Sequence, residues 1–162
     1  MGKTPLHLSE EKIEDLDAVD REIINLLEED CRLSYKNIAL KSHVSVGTAF
    51  SRIKKLENEG KIKGYSVILD SSKLGYPLTA VIFLKAEGNF LLSVEEDIAN
   101  CSNVVAVYDV TGEFDATVIA KFRDRNDLSS FIKSVAAMPH VKRTFTCVSL
   151  DTVKENSMVR LV

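Results

Sequence analysis

No stretch of this sequence is apolar for long enough to cross a bilayer. The longest strongly apolar run, Leu78 to Leu84, falls far short of the roughly 20 residues that a membrane-spanning helix needs. Met1 to Glu14 lack the apolar stretch of a signal peptide. Cysteine is scarce: Cys31, Cys101 and Cys147 are an odd, scattered set without metal-ligand spacing. They predict reduced, buried structural thiols in a cytoplasmic protein. Histidine is equally sparse, at His7, His43 and His140. No Ser/His/Asp pattern, glycine-rich phosphate loop or metal cluster is present. No catalytic residue, metal or cofactor is therefore expected, and the chain reads as a non-enzyme.

What is present suits a folded protein. The 162 residues are 45% hydrophobic and 28% charged, enough for one ordinary domain or two small ones. Small domains bury a lower fraction of their surface, which favours oligomerisation. The net charge of −3 hides an uneven distribution. From Glu10 to Asp30, ten acidic residues face two basic ones. From Cys31 to Gly64, eight basic residues face only Glu57 and Glu59. A basic block inside an acidic protein is a footprint for a polyanion, although charge alone also fits a solvated helix face.

Hydrophobic spacing divides the chain. Residues 1–15 are a polar lead-in, and residues 16–64 read as three short helices. Asp17 caps the first, with Val19, Ile23, Leu26 and Leu27 on one face. Ser34 caps the second, over Tyr35 to Ser42. His43-Val44-Ser45 is the turn, and Ser45 caps a third helix from Val46 to Glu59. Val46, Ala49, Phe50, Ile53 and Leu56 would form its buried stripe, and Gly60 its stop. Residues 65–76 read as a linking strand and hinge. Residues 77–156 then follow a βαββαβ order, the ferredoxin-like arrangement. Its parts are a strand from Leu78 to Glu87, a helix from Asn89 to Asn100 and a strand from Asn103 to Thr111. A tight turn at Gly112-Glu113, a strand from Phe114 to Phe122, a helix from Asn126 to Ala137 and a strand from Val141 to Leu150 complete it. Val81, Phe83, Val105 and Val107 make the open sheet face too apolar to stay wet, so sheet-to-sheet dimerisation is expected. Residues 157–162 are a tail. The fold class is thus α+β: an N-terminal helix-turn-helix domain, winged-helix-like, and a C-terminal ferredoxin-like domain.

A helix-turn-helix places its last helix in the major groove of double-stranded DNA. The polar side of the third helix carries Gly47, Thr48, Ser51, Arg52 and Lys55. Gly47 permits close approach, Thr48 offers a hydroxyl and a methyl, and Arg52 and Lys55 reach bases or phosphates. Ser34, Lys36, Ser45, Val46 and Lys54 complete the candidate DNA-binding set. By pattern alone, three small helices also fit an ordinary interaction module.

The run Leu16-Asp17-x-x-Asp20 through Asp30-x-Arg32-x-Ser34, with Ile38-Ala39, Val44-Ser45, Arg52-Ile53-x-x-Leu56-Glu57-x-x-Gly60-x-Ile62-x-Gly64-Tyr65, resembles the feast/famine regulators of the Lrp/AsnC family. Asn103-Val104-Val105, Val110-Thr111-Gly112-Glu113-Phe114-Asp115, Met138-Pro139 and Val141-x-Arg143-Thr144-x-Thr146 extend the likeness to residue 156. Cys31 stands where many members have Gly, and Glu113 where Asp is common. The resemblance implies dimers that stack into tetramers or octamers, with an amino acid or similar small molecule bound between dimers near Gly112 to Asp115. The candidate effector residues are Gly112, Glu113, Phe114, Asp115, Thr144 and Thr146. By pattern alone, Gly112 is only a hairpin turn and Asp115 its local cap. Two other readings stay open: an architectural DNA-binding protein without an effector, and an enzyme similar to siroheme decarboxylases.

Overall fold

The structure, a computed structural model, describes residues 16–155 and Leu161. The lead-in at 1–15 and most of the tail lie outside the described residues. The chain divides into two compact units. The first runs to Val67 and takes in Leu161; the second runs from Ile68 to Glu155.

The first unit is three helices: α1 (Ala18–Glu29), α2 (Tyr35–Lys41) and α3 (Val46–Asn58). Each begins at a side chain that accepts from the exposed N–H groups of its first turn: Asp17, Ser34 and Ser45. Ile23, Leu26, Ile38, Ala39, Ala49, Ile53 and Leu56 form its core. Ser42 is buried between α2 and α3 without a polar penalty, because its hydroxyl donates to the Ile38 carbonyl at 2.6 Å. Val46 and Phe50, expected in the buried stripe, are exposed. At about 100° per residue they fall on the edge of the stripe set by Ala49, Ile53 and Leu56, and Phe50 instead meets Tyr35 edge-on at 5.3 Å. Asn25 in α1 clasps the Leu161 backbone, donating to its carbonyl at 3.0 Å and accepting from its N–H at 3.2 Å. Residues 65–76, read as a linking strand and hinge, form no strand: 65–70 run without secondary structure, 71–75 make a turn, and none joins a sheet among the described residues.

The second unit is a four-stranded antiparallel sheet in the order β2-β3-β1-β4, with two helices between strands. Its strands are β1 (Leu78–Ala86), β2 (Val104–Asp109), β3 (Ala116–Phe122) and β4 (Val141–Val148). The helices are α4 (Leu91–Ala99), preceded by a 3-10 turn at Gly88–Phe90, and α5 (Arg125–Ala136). This is the ferredoxin-like order. Alternate residues of β1 and β3 point into one core: Ala80, Ile82, Leu84 and Ala86 with Ala116, Val118, Ala120 and Phe122. Val94 and Ile98 of α4 and Leu128 and Val135 of α5 close it. Val81 and Phe83 lie on the other face, as expected. Val107 does not: the register of β2 shifts between Val104 and Ala106, which pairs Val107 with buried Val118 and packs it against the core. The turn at Gly112 is wider than expected. It spans residues 110–115 and is closed by the Val110 N–H donating to the Asp115 carbonyl at 3.0 Å.

The cysteines are not the buried thiols expected. Cys31 and Cys147 are exposed and Cys101 half-buried. Cys31 lies in the turn after α1, and Cys147 pairs with Val81 on the sheet face away from the helices.

Candidate functional site

The turn between α2 and α3 is set by the backbone. His43 takes a left-handed φ of 56°, and the Val44 N–H donates back to the Ala39 carbonyl at 3.0 Å. The Ser45 Oγ then accepts from the Thr48 N–H at 3.0 Å and shares a hydrogen with the Thr48 hydroxyl at 2.8 Å. The Ser51 hydroxyl donates to the Thr48 carbonyl at 3.0 Å. Gly47, Ser51, Lys54 and Lys55 are exposed and Thr48 is half-buried, so α3 presents a short polar face opposite its apolar stripe. A Cβ added at Gly47 would meet only the Ser45 Oγ, at 3.8 Å. Ser34 and Lys36 are exposed at the start of α2.

Arg52 does not share that face. It falls about 40° from Leu56 and about 100° from Ser51 around the helix. Its Nη1 donates to Asp17 at 2.5 Å and to both oxygens of the buried Asp20 at 3.2 Å. The accepted Asp20 N–H, and then Arg52, hold the Asp17 carboxyl below its usual range. The hydrogen bond to Asp17 likewise raises Arg52. Arg52 is thus a brace between α1 and α3 and lies off the polar face on which the sequence sets it. Lys54 pairs with Glu57 at 2.6 Å, and Lys55 with Glu59 at 3.5 Å, both at helical spacing. Glu57 also accepts from the Tyr65 hydroxyl at 3.0 Å. Burial, then that hydrogen bond, pushes Tyr65 up to about 12. Val46, Phe50 and Tyr35 make an exposed apolar edge beside the polar face; the helical phase of Val46 and Phe50 was the one sequence signal for it.

In the second unit, the expected effector residues divide between two faces. Gly112 has a φ of 128°, open to glycine and strained for other residues. Gly112 and Glu113 are exposed. Lys85 Nζ donates to the Glu113 carbonyl at 3.1 Å, and Arg143 pairs with the Glu113 carboxylate at 3.5 Å. Arg143 also lies over the Phe114 ring at 5.8 Å, and Phe114 packs against Phe83 and Phe145. Asp115 is a brace within the fold: its Oδ2 accepts from the Ala86 N–H at 2.9 Å while its own N–H donates to the Leu84 carbonyl at 3.0 Å. Thr144 and Thr146 do not join the group. They pair with Leu84 and Ile82, whose side chains enter the helix-side core, so they stand on the face opposite Arg143 and Phe145. Among the described residues, no cluster of three or more His, Cys, Asp or Glu could hold a metal, and no helix is long and apolar enough to cross a membrane.

Residues 16–63 match the winged helix-turn-helix DNA-binding family, and residues 79–159 match the Lrp/AsnC ligand binding domain. An uncharacterized HTH-type transcriptional regulator of Pyrococcus furiosus is 51% identical over 142 residues, 88% of this chain and 96% of its own length. The chain belongs to the Lrp/AsnC family. It is a DNA-binding transcription regulator of that family with a ligand-binding domain. The HTH-type transcriptional regulator FL11 of Pyrococcus horikoshii is 30% identical, over 88% of this chain and 94% of its own. Among solved structures, an AsnC family regulator from Agrobacterium tumefaciens has the same fold, with a TM-score of 0.83 at 22% identity, over 89% of this chain and 96% of its own. A transcriptional regulator of Neisseria meningitidis, solved in complex with L-Met, matches with a TM-score of 0.81 at 24% identity, over 90% of this chain and 96% of its own.

Proposed function

We propose that this Lrp/AsnC regulator works in the cytoplasm by reading operator DNA as a homodimer through α3. An amino acid or similar small molecule at the Gly112 turn shifts its assembly toward or away from tetramers and octamers. The observation that carries the DNA reading is the capped α3, with a buried stripe on one side and Gly47, Thr48, Ser51, Lys54 and Lys55 on the other. Thr48 and Ser51 are the base-reading groups, with Ser45 and Val46 at the helix start. Lys36, Lys54 and Lys55 meet phosphates, Ser34 holds α2 in place, and Arg52 fixes the angle of α3 from behind. Val81, Phe83, Phe114, Ile119 and Phe145 leave the sheet face away from the helices largely apolar, which a second copy would cover.

The effector site comprises Gly112, Glu113 and Phe114, with Asp115 as its support. The left-handed Gly112 opens the turn to a ligand carboxylate, and Glu113 offers charge to an ammonium group. The L-Met complex of the Neisseria relative supports the ligand class. The ligand acts only through a difference in affinity between assemblies. Calorimetry of the full chain with the twenty amino acids, paired with sedimentation, tests this. One amino acid should bind, change the sedimenting species, and bind at least tenfold more weakly to Glu113→Gln. Binding of none of the twenty would refute it.

A further inference from the structure

The ligand-binding domain carries a recess far from the Gly112 turn. It is a groove open to solvent between α5 and the edge strand β4, with a volume of about 720 Å3, within the range of small-molecule sites. One wall is a helical stripe of α5: Arg125, Leu128, Ile132 and Lys133. Leu78 and Val148 face it from the sheet. The floor is apolar, and every charged side chain lining the recess is a cation.

Neither cation has an ion-pair partner among the described residues. The acids beside Arg125 are engaged elsewhere. Asp124 caps α5 by accepting from the Asn126 and Asp127 N–H groups, and Asp127 pairs with Arg123 at 3.4 Å. Arg125 is the first residue of α5, where a positive charge opposes the helix dipole. Lys133 follows eight residues later, roughly 12 Å along the axis. An apolar trough with an unpaired cation at each end suits an anion that carries hydrocarbon. It does not suit an amino acid, because no carboxylate lines it to meet an ammonium group.

We propose that this recess binds an amphipathic carboxylate, with an aliphatic or aromatic body and no ammonium group. The body lies against Leu128, Ile132 and Val148, displacing water from apolar surface. Arg125 holds the carboxylate through its planar fork, and Lys133 keeps the far end positive. The site is independent of the amino-acid site proposed above. Asp115 is tied to Ala86 at one end of β1 and Leu78 lines the recess at the other, roughly 26 Å apart along the strand.

The test is a titration of the full chain with octanoate and, as its cationic counterpart, octylamine, by calorimetry and by amide chemical shifts. Octanoate should bind and shift residues 125–133 and 148–150, with octylamine at least tenfold weaker. Arg125→Gln should weaken octanoate at least tenfold and leave octylamine unchanged, while Ile132→Glu should abolish octanoate binding. Equal binding of the two amphiphiles, no binding of either, or wild-type octanoate affinity in Arg125→Gln would overturn the proposal. So would sedimentation showing that Arg125→Gln dissociates an oligomer, since the recess would then be an interface between copies.

Discussion

Arg52 donates to the exposed Asp17 and to both oxygens of the buried Asp20, so its removal takes from the buried Asp20 carboxylate the cation it is bonded to. Arg52→Ala should cost about 1.5–3 kcal/mol of stability, the scale of hydrogen bonds to charged groups, and Arg52→Lys should recover part of it. Denaturant unfolding measures this. A variant that unfolds like the wild type and yet loses operator affinity would return Arg52 to the DNA. Glu95 poses the opposite problem. Its Oε1 is buried without a hydrogen-bond partner among the described residues. Burial, then the charge of Asp109, raises its pKa. The folded state therefore favours the protonated form. Its stabilising contribution is complete below the unfolded value of about 4.3 and is lost as pH rises through the raised folded value. Glu95→Gln should accordingly be more stable than the wild type at pH 7, with the gap closing as pH falls toward 4. Thermal melts across that range would show the trend, and a gap that widens on acidification would contradict it.

At the level of elements, α3 separates fold from function most cleanly at Gly47. A methyl group there meets only the Ser45 Oγ, at 3.8 Å, and alanine favours a helix over glycine by up to ~1 kcal/mol. Gly47→Ala should therefore fold at least as stably as the wild type and, on the proposed DNA face of α3, still bind operator DNA more weakly, because the added methyl group would crowd the groove. Parallel unfolding and DNA titrations decide it; unchanged affinity would move the contact surface away from the start of α3. The caps Asp17, Ser34 and Ser45, the three helices and the βαββαβ order were legible because capping and periodicity are local. What the sequence does not carry depends on angle and register. Spacing in threes and fours does not resolve a flank from the side opposite the core, so it sets Arg52 on the polar face. Val107 changes faces through a single shift in β2, and the face of Thr144 and Thr146 depends on which β1 residues they pair with. The wider Gly112 loop follows from Asp115, whose side chain bonds to β1 rather than to its own turn. The α5 recess left no sequence signal, since its stripe reads as an ordinary amphipathic helix.

For the whole molecule, two compact units divide the work. One, up to Val67, carries the capped α3, and the other, from Ile68, carries the ligand-binding domain with its apolar sheet face. A dimer joined through that sheet would hold two copies of α3, and two-fold symmetry then requires inverted half-sites about one helical turn (~34 Å) or a multiple apart. The most direct measurement is a footprint of the full-length protein on genomic fragments selected by binding, in the presence of excess random competitor DNA. Protection should persist under competition and cover two inverted half-sites at that spacing, and Thr48→Ala with Ser51→Ala should erase it while leaving the fold intact. Protection that competitor DNA removes equally from every fragment, with no half-site symmetry, would contradict sequence-specific regulation through α3.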